Sequence, residues 1–141
     1  MATPAKYERP LPSMRGLAGE FYGYCKNHEL RFQRCLGCGA WRHVPREMCA
    51  QCGSFDYEWA KSSGKGQVFS WSTTSQTMLP KFADAVPYSI VIVELEEGVR
   101  MATWVIDVKP DQLRIGMPVE VVFDDVTDHV TLAKFRRRFQ A

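Results

Sequence analysis

Cys35-Leu36-Gly37-Cys38-Gly39 and Cys49-Ala50-Gln51-Cys52-Gly53, with ten residues between the two CxxC pairs, decide how this chain is read. Two residues between cysteines let both sulfurs turn toward one point, and two such knuckles facing each other make a tetrahedral four-sulfur cage. The glycine after each pair accepts the positive φ that a tight knuckle needs. The spacing therefore predicts a structural zinc held by Cys35, Cys38, Cys49 and Cys52, with a rubredoxin-like iron site using the same ligands. A disulfide framework fits poorly with a chain that carries no secretion signal, and a redox CxxC would need a βαβ pattern that is absent. Four thiolates close the coordination shell, so the metal is expected to hold structure and to do no chemistry. Its binding energy replaces a core that about thirty residues could not build alone. His43, between the pairs, reads as a surface residue.

Outward from the knuckles, Leu30 and Phe32 alternate with polar residues as a strand entering the first pair, and Ala40 to Val44 reads as a short strand. Phe55, Tyr57 and Trp59 alternate as a strand leaving the second pair. Upstream, Ser13 is expected to cap a helix whose stripe is Met14, Leu17, Phe21 and Cys25. Cys25 then reads as a buried thiol. Gly16, Gly19 and Gly23 weaken that helix, so it must dock, either on its own ribbon or on a partner. Residues 1–12, with three prolines, read as an extended arm.

Ser62-Ser63-Gly64-Lys65-Gly66 breaks the pattern, and strands follow. Gln67 to Thr74, Tyr88 to Leu95, Val99 to Val108, Val119 to Phe123 and Thr131 to Phe139 make five, with one helical turn at Lys109 to Leu113. That order predicts a small closed barrel of the OB type. The fold expected is mainly β: arm and docking helix over 1–28, rubredoxin-like ribbon over 29–62, five-stranded barrel over 63–141. The long loop over 75–87 carries Met78, Leu79 and Phe82, apolar side chains of the kind that cover a ligand or partner.

The chain has 141 residues, 45% hydrophobic and 24% charged, which is globular composition. Its longest apolar run, Ile90 to Val93, is strand-sized, so no membrane span is expected. The N-terminus carries no basic segment followed by an apolar one, which makes the cytoplasm the expected compartment. Eighteen Lys and Arg against 16 Asp and Glu give a formal charge of +2, and a four-thiolate zinc brings it to about zero. From Gln67 onward there are eight cations against ten anions. Phosphate binding needs a basic excess, so a nucleic-acid module using Phe69, Trp71 and the terminal arginines is the weaker alternative. His28, His43 and His129 lie in no recognisable catalytic motif, adjacent Asp124 and Asp125 point to opposite faces of a strand, and no nucleotide fingerprint is present. The chain is not expected to be an enzyme alone.

Several blocks together resemble one family: Glu29 to Gly39, Pro45-Arg46, Cys49 to Ser54, Ser63 to Gly66, Val93 to Val99, Arg114 to Val119 and Lys134-Phe135. It is the zinc-ribbon plus OB-fold family catalogued as domain of unknown function thirty-five, and the likeness runs from about residue 17 to 136. Val44 and Ala50 stand where the family often has proline; neither is a metal ligand. The resemblance implies a non-catalytic partner of thiolase-fold enzymes, thiolases or retro-aldolases acting on CoA thioesters of branched, steroid or aromatic acids. Such enzymes are typically dimeric, which implies a two-plus-two assembly. It further implies that the helix, through Leu17, Phe21 and Tyr22, docks on the enzyme and that the barrel contacts acyl-CoA.

CoA offers phosphates at one end and a slim amide-bearing arm at the other, so its binder needs a few cations beside an aromatic slot. Lys65, Lys81, Arg114, Lys134 and Arg136 are the cations expected there, with Lys61, Arg137 and Arg138 as further candidates. Trp71 and Phe82, with Phe69 and Trp104, are the slot candidates, though each aromatic also suits core packing and the arginine run also suits a solvated tail. A free-standing acyl-CoA binder is the remaining alternative.

Overall fold

The computed structural model describes residues 7–139. One helix, α1 (Gly16–Lys26), precedes strands β1 (Arg31–Cys35), β2 (Trp41–Arg42) and β3 (Tyr57–Lys61), which pair antiparallel in the order β2-β1-β3. Strands β4 (Lys65–Thr74), β5 (Tyr88–Leu95), β6 (Arg100–Thr103), β7 (Pro118–Asp125) and β8 (Thr131–Arg137) form a second antiparallel sheet in the order β6-β5-β4-β7-β8. Its five members are the five expected from the sequence. The part of the expected arm at residues 1–6 lies outside the described residues. No helix among the described residues is long and apolar enough to cross a membrane.

The five-stranded sheet curls until its edges meet. Past the end of β6, Val105 forms an isolated parallel bridge to Phe135 of β8. The Phe135 amide donates to the Trp104 carbonyl at 2.9 Å, and the Ile106 amide donates to the Phe135 carbonyl at 2.8 Å. The expected strand Val99 to Val108 is therefore four residues of ladder, Arg100–Thr103, followed by a crossing to the other edge. A bulge between Val68 and Ser70 bends β4 and adds to the curl.

The helix begins at Gly16 rather than at Ser13, with Arg15 as its first flanking residue and no side-chain cap. Ser13 accepts a hydrogen bond only from the Arg15 amide, and Met14 lies outside the helix, largely exposed. The reason is local: the chain before the helix folds back so that the Met14 carbonyl sits where a Cβ on residue 19 would be. Gly19 thus admits the protein's own backbone. Phe21 and Cys25 are the two buried residues of α1.

Phe21, Cys25, Leu30 and Phe32 join Val68, Val91, Val93, Val119 and Phe135 in one apolar cluster, so the helix and ribbon share a core with the barrel. Burial of each large side chain there is worth about 1.5–3 kcal/mol. The helix C-terminus is tied to the β7–β8 hairpin from outside: Lys26 Nζ donates to the Asp128 carbonyl, and His28 Nε2 lies 3.1 Å from Asp125 while its ring stacks on Phe123. Between ribbon and barrel, Glu97 accepts from the Ser62 hydroxyl and, at 3.1 Å, from the Ser63 amide.

Candidate functional site

Each knuckle is made by the same three hydrogen bonds. In the first, the Gly37 amide donates to Cys35 Sγ at 3.3 Å, the Gly39 amide to the Cys35 carbonyl, and the Cys35 amide to the Ala40 carbonyl. In the second, Gln51, Gly53 and Cys49 donate in turn to Cys49 Sγ, the Cys49 carbonyl and the Ser54 carbonyl. Gly39 and Gly53 have φ of +77 and +78, the left-handed conformation that closes each loop. The four sulfurs all lie within 4.8 Å of one another, with Cys35–Cys52 at 3.5 Å and Cys38–Cys49 at 3.6 Å. A tetrahedron with metal–sulfur bonds of about 2.3 Å has edges of about 3.8 Å, so the cage fits zinc.

The electrostatics agree with a metal-holding role. The Cys38 amide, ahead of other donors, brings the Cys35 thiol down to about 6, and the Cys52 amide acts the same way on Cys49. Cys52 is pulled down by the Ser54 amide, yet the crowding sulfurs of Cys35, Cys38 and Cys49 push it up to about 12. Four sulfurs this close do not all ionise without a cation among them. Cys25, fully buried on α1, is pushed up to about 12 by burial and is an inert thiol.

His43 is not a surface residue. Its ring packs 4.9 Å from Phe21 and 5.2 Å from Phe32, and its buried Nδ1 has no hydrogen-bond partner. The helix covers it, and burial brings its pKa from 6.5 down to about 4. In the unfolded chain the imidazole takes a proton near 6.5. Stability conferred by the neutral ring is therefore complete above pH 6.5 and lost as pH falls toward 4. The loss expected from this one group is about 2–3 kcal/mol. Denaturant titration of the wild type and of His43→Phe between pH 4 and 7 measures it. The variant should lack that component of the slope, while acid loss of the metal, common to both proteins, cancels in the difference.

A cavity of about 360 Å³ opens between the N-terminal arm, α1 and the β6–β8 side of the barrel. Phe82, Tyr88 and Trp104 form an aromatic box in its wall, with ring centroids 5.1–6.4 Å apart. Lys134 Nζ stands 5.5 Å from the Trp104 centroid and pairs with Asp124 at 2.6 Å. Of the residues singled out from the sequence, Phe82, Trp104, Lys134, Phe21, Tyr22 and His43 line this cavity. Lys81 is beside it, 3.9 Å from Glu8.

The remaining candidates do not converge there. Lys65 is exposed at the start of β4, the central strand of the sheet; Arg114 donates to the Asp111 and Leu113 carbonyls; Arg136 pairs with Glu120 at 3.0 Å across β7–β8. Trp71 lies on β4 away from the cavity, and Phe69 is covered by the Arg100 guanidinium at 3.8 Å. Of the loop's apolar side chains only Phe82 faces the cavity; Met78 is 99% exposed. In the helix, Phe21 is 4% exposed and packs inward on Phe32, so it is a core residue, and Leu17 and Tyr22 keep part of their surface.

Residues 24–58 match the family profile described as "ChsH2, rubredoxin-like zinc ribbon domain", and residues 59–124 match "ChsH2, C-terminal OB-fold domain". The chain belongs to the ChsH2/DUF35 family. It is 42% identical over 92 residues to a DUF35 domain-containing scaffold protein of Methanocaldococcus jannaschii, covering 64% of each protein. It is 35% identical over 128 residues to a probable enoyl-CoA hydratase alpha subunit of Thermomonospora curvata. That alignment takes in 91% of this chain but 40% of the relative, so the chain spans less than half of the hydratase subunit. Among solved structures it superposes on a chain of the Ltp2-ChsH2(DUF35) aldolase with a TM-score of 0.81 at 34% identity, covering 90% of this chain and 98% of that one. The ChsH2 ribbon and barrel are thus the two sheets described above, and the four-cysteine cage is the metal site of the ribbon.

Arg9 escaped the sequence reading. Its guanidinium lies 5.4 Å from the Phe82 centroid and 5.5 Å from that of Trp104, and pairs with Asp84 at 3.1 Å. A lone arginine in a proline-rich arm carries no pattern, and its partners stand some 75 residues away.

Proposed function

We propose that this ChsH2/DUF35 chain is a non-catalytic subunit that stabilises a thiolase-fold acyl-CoA enzyme, a thiolase or retro-aldolase, and helps bind its thioester substrate. The observation that carries the reading is the superposition, across nearly the whole of both chains, on the DUF35 chain of an aldolase assembly. The relatives' names point the same way, one a scaffold protein and one a subunit of an enzyme acting on a CoA thioester. The zinc ribbon supplies rigidity to the docking region, where Leu17 and Tyr22 present the part-exposed face of α1 to the catalytic partner, in an assembly of two plus two. The cavity beside Phe82, Trp104 and Lys134 receives the acyl-CoA: its aromatic box suits the slim pantetheine arm, and Lys134 supplies positive charge at the wall. Lys65, Lys81, Arg114 and Arg136 remain outlying candidates for the phosphates, with Trp71 an outlying aromatic.

The test is affinity capture of the tagged chain from its own cells, followed by assay of the captured material on CoA thioesters. A thiolase-fold protein should be recovered in near-equal amount, and its cleavage of the thioester should fall when the chain is withheld. The chain by itself should turn over nothing. Recovery of the zinc-loaded chain alone as a monomer overturns the reading.

A further inference from the structure

Arg9 lies over two rings of the aromatic box, as a ligand's cationic neighbour would. Besides Asp84 and the two rings, its Nε donates to the Lys81 carbonyl at 3.4 Å, and the adjoining Glu8 lies 3.9 Å from Lys81 Nζ. The two partners of the central pair are unequal. The Arg9 side chain is 23% exposed, pressed on the rings, whereas that of Asp84 is 80% exposed, standing in water. An exposed carboxylate of this kind binds its arginine weakly and is easily exchanged. Stacked on two rings, the guanidinium stays in place whichever anion it faces.

A second cation meets the same ring. Lys134 and Arg9 both lie 5.5 Å from the Trp104 centroid, so an aromatic-walled cavity carries two positive charges at its rim. Each is balanced at present by one of the protein's own carboxylates, Asp84 or Asp124. The complement of such a site is an amphipathic anion: an apolar or slim body in the box, and a phosphate or carboxylate at the mouth.

We propose that Arg9 is the anion-binding residue of this cavity and that Asp84 holds its place: the anionic group of an incoming amphipathic ligand replaces the Asp84 carboxylate on Arg9. Tyr7, Arg9 and Pro10, which already line the cavity, then border the bound ligand. The inference rests on the acyl-CoA reading only for which amphipathic anion binds.

The experiment uses the full zinc-loaded chain, as wild type, Arg9→Gln, Arg9→Lys, Asp84→Asn and Arg9→Gln/Asp84→Asn, titrated with decanoyl-CoA and separately with decanoate. Zinc content and melting temperature verify that the surface substitutions leave the fold intact. Arg9→Gln should weaken binding about tenfold, the weight of one charge-assisted contact, with Arg9→Lys in between. Asp84→Asn should tighten binding by a few fold, and only while Arg9 is present. If decanoyl-CoA binds and all variants match the wild type, the inference is overturned and the acyl-CoA reading stands. If decanoate alone binds, with the same dependence on Arg9 and Asp84, the inference stands and the acyl-CoA reading falls. If neither binds, both fall.

Discussion

Chelating the metal from the full chain removes amide-exchange protection from residues 31–61 and leaves the strand 88–95 protected. The ribbon's three strands hold 12 residues, two of them in β2, and its connections are knuckles and loops. Fixing the backbone of each residue costs about 1–2 kcal/mol, and the ribbon buries few large apolar side chains against that cost: Leu30 and Phe32 at one end, with Gln33 beside them. A structural zinc contributes about 10–16 kcal/mol at neutral pH, which is the term that holds such a module folded. Without it the knuckle hydrogen bonds to Cys35 and Cys49 lose the centre that aligns them. Cys49→Ser should give the same exchange pattern with metal content falling from one per chain toward none, and added zinc should restore the chelated wild type but not the variant. Protection over 31–61 that survives chelation would mean that packing on α1 suffices.

The parts of this architecture legible in the sequence are those set by short-range chemistry. Two CxxC-Gly units specify the cage because ligand spacing and left-handed glycines are local requirements, and all four sulfurs meet. Tyr88 to Leu95, a β-branched run closed by a glycine turn, reads as a strand with the bounds it has. Most of what stayed hidden depends on distant chain; the helix start is the local exception. The Trp104 carbonyl pairs with β8 rather than extending β6, because the sheet must close, and closure is set by curl rather than by the local pattern. Ser13 has the chemistry of a helix cap, but Met14 folded back over Gly19 moves the start to Gly16. His43 is half-buried by a helix that lies some twenty residues earlier, and Arg9 meets the aromatic box from the arm. Of the candidate binding residues, Phe82, Trp104 and Lys134 share a wall because β6, β8 and the loop over 75–87 meet at the barrel edge; Lys81 stands beside that wall, and Lys65, Arg114 and Arg136 lie elsewhere on the barrel.

Phe135→Ala should have the opposite signature to chelation, lowering the stability of the barrel while the metal stays bound. Phe135 is 0% exposed in the shared core, and its backbone carries both hydrogen bonds that join β8 to the segment after β6. Alanine keeps those two bonds, and Thr103 Oγ1 still donates to the Ala133 carbonyl at 2.9 Å. The loss is thus confined to the ring: its transfer from water and the cavity it leaves cost about 3–5 kcal/mol. For a chain of this length that corresponds to a fall of roughly 10–20 °C in melting temperature. A deficit this large is a sizeable part of the 5–15 kcal/mol that ordinarily separates folded from unfolded protein. Because the cysteine cage is assembled by hydrogen bonds within residues 35–56, it does not need the Phe135 ring, and one metal per chain should be retained below the lowered transition. Calorimetry paired with metal analysis checks both halves. A variant that loses its metal at temperatures where the barrel is still folded would show that the ribbon depends on the shared core more than on its own ligands, and the two modules would then have to be regarded as one cooperative unit.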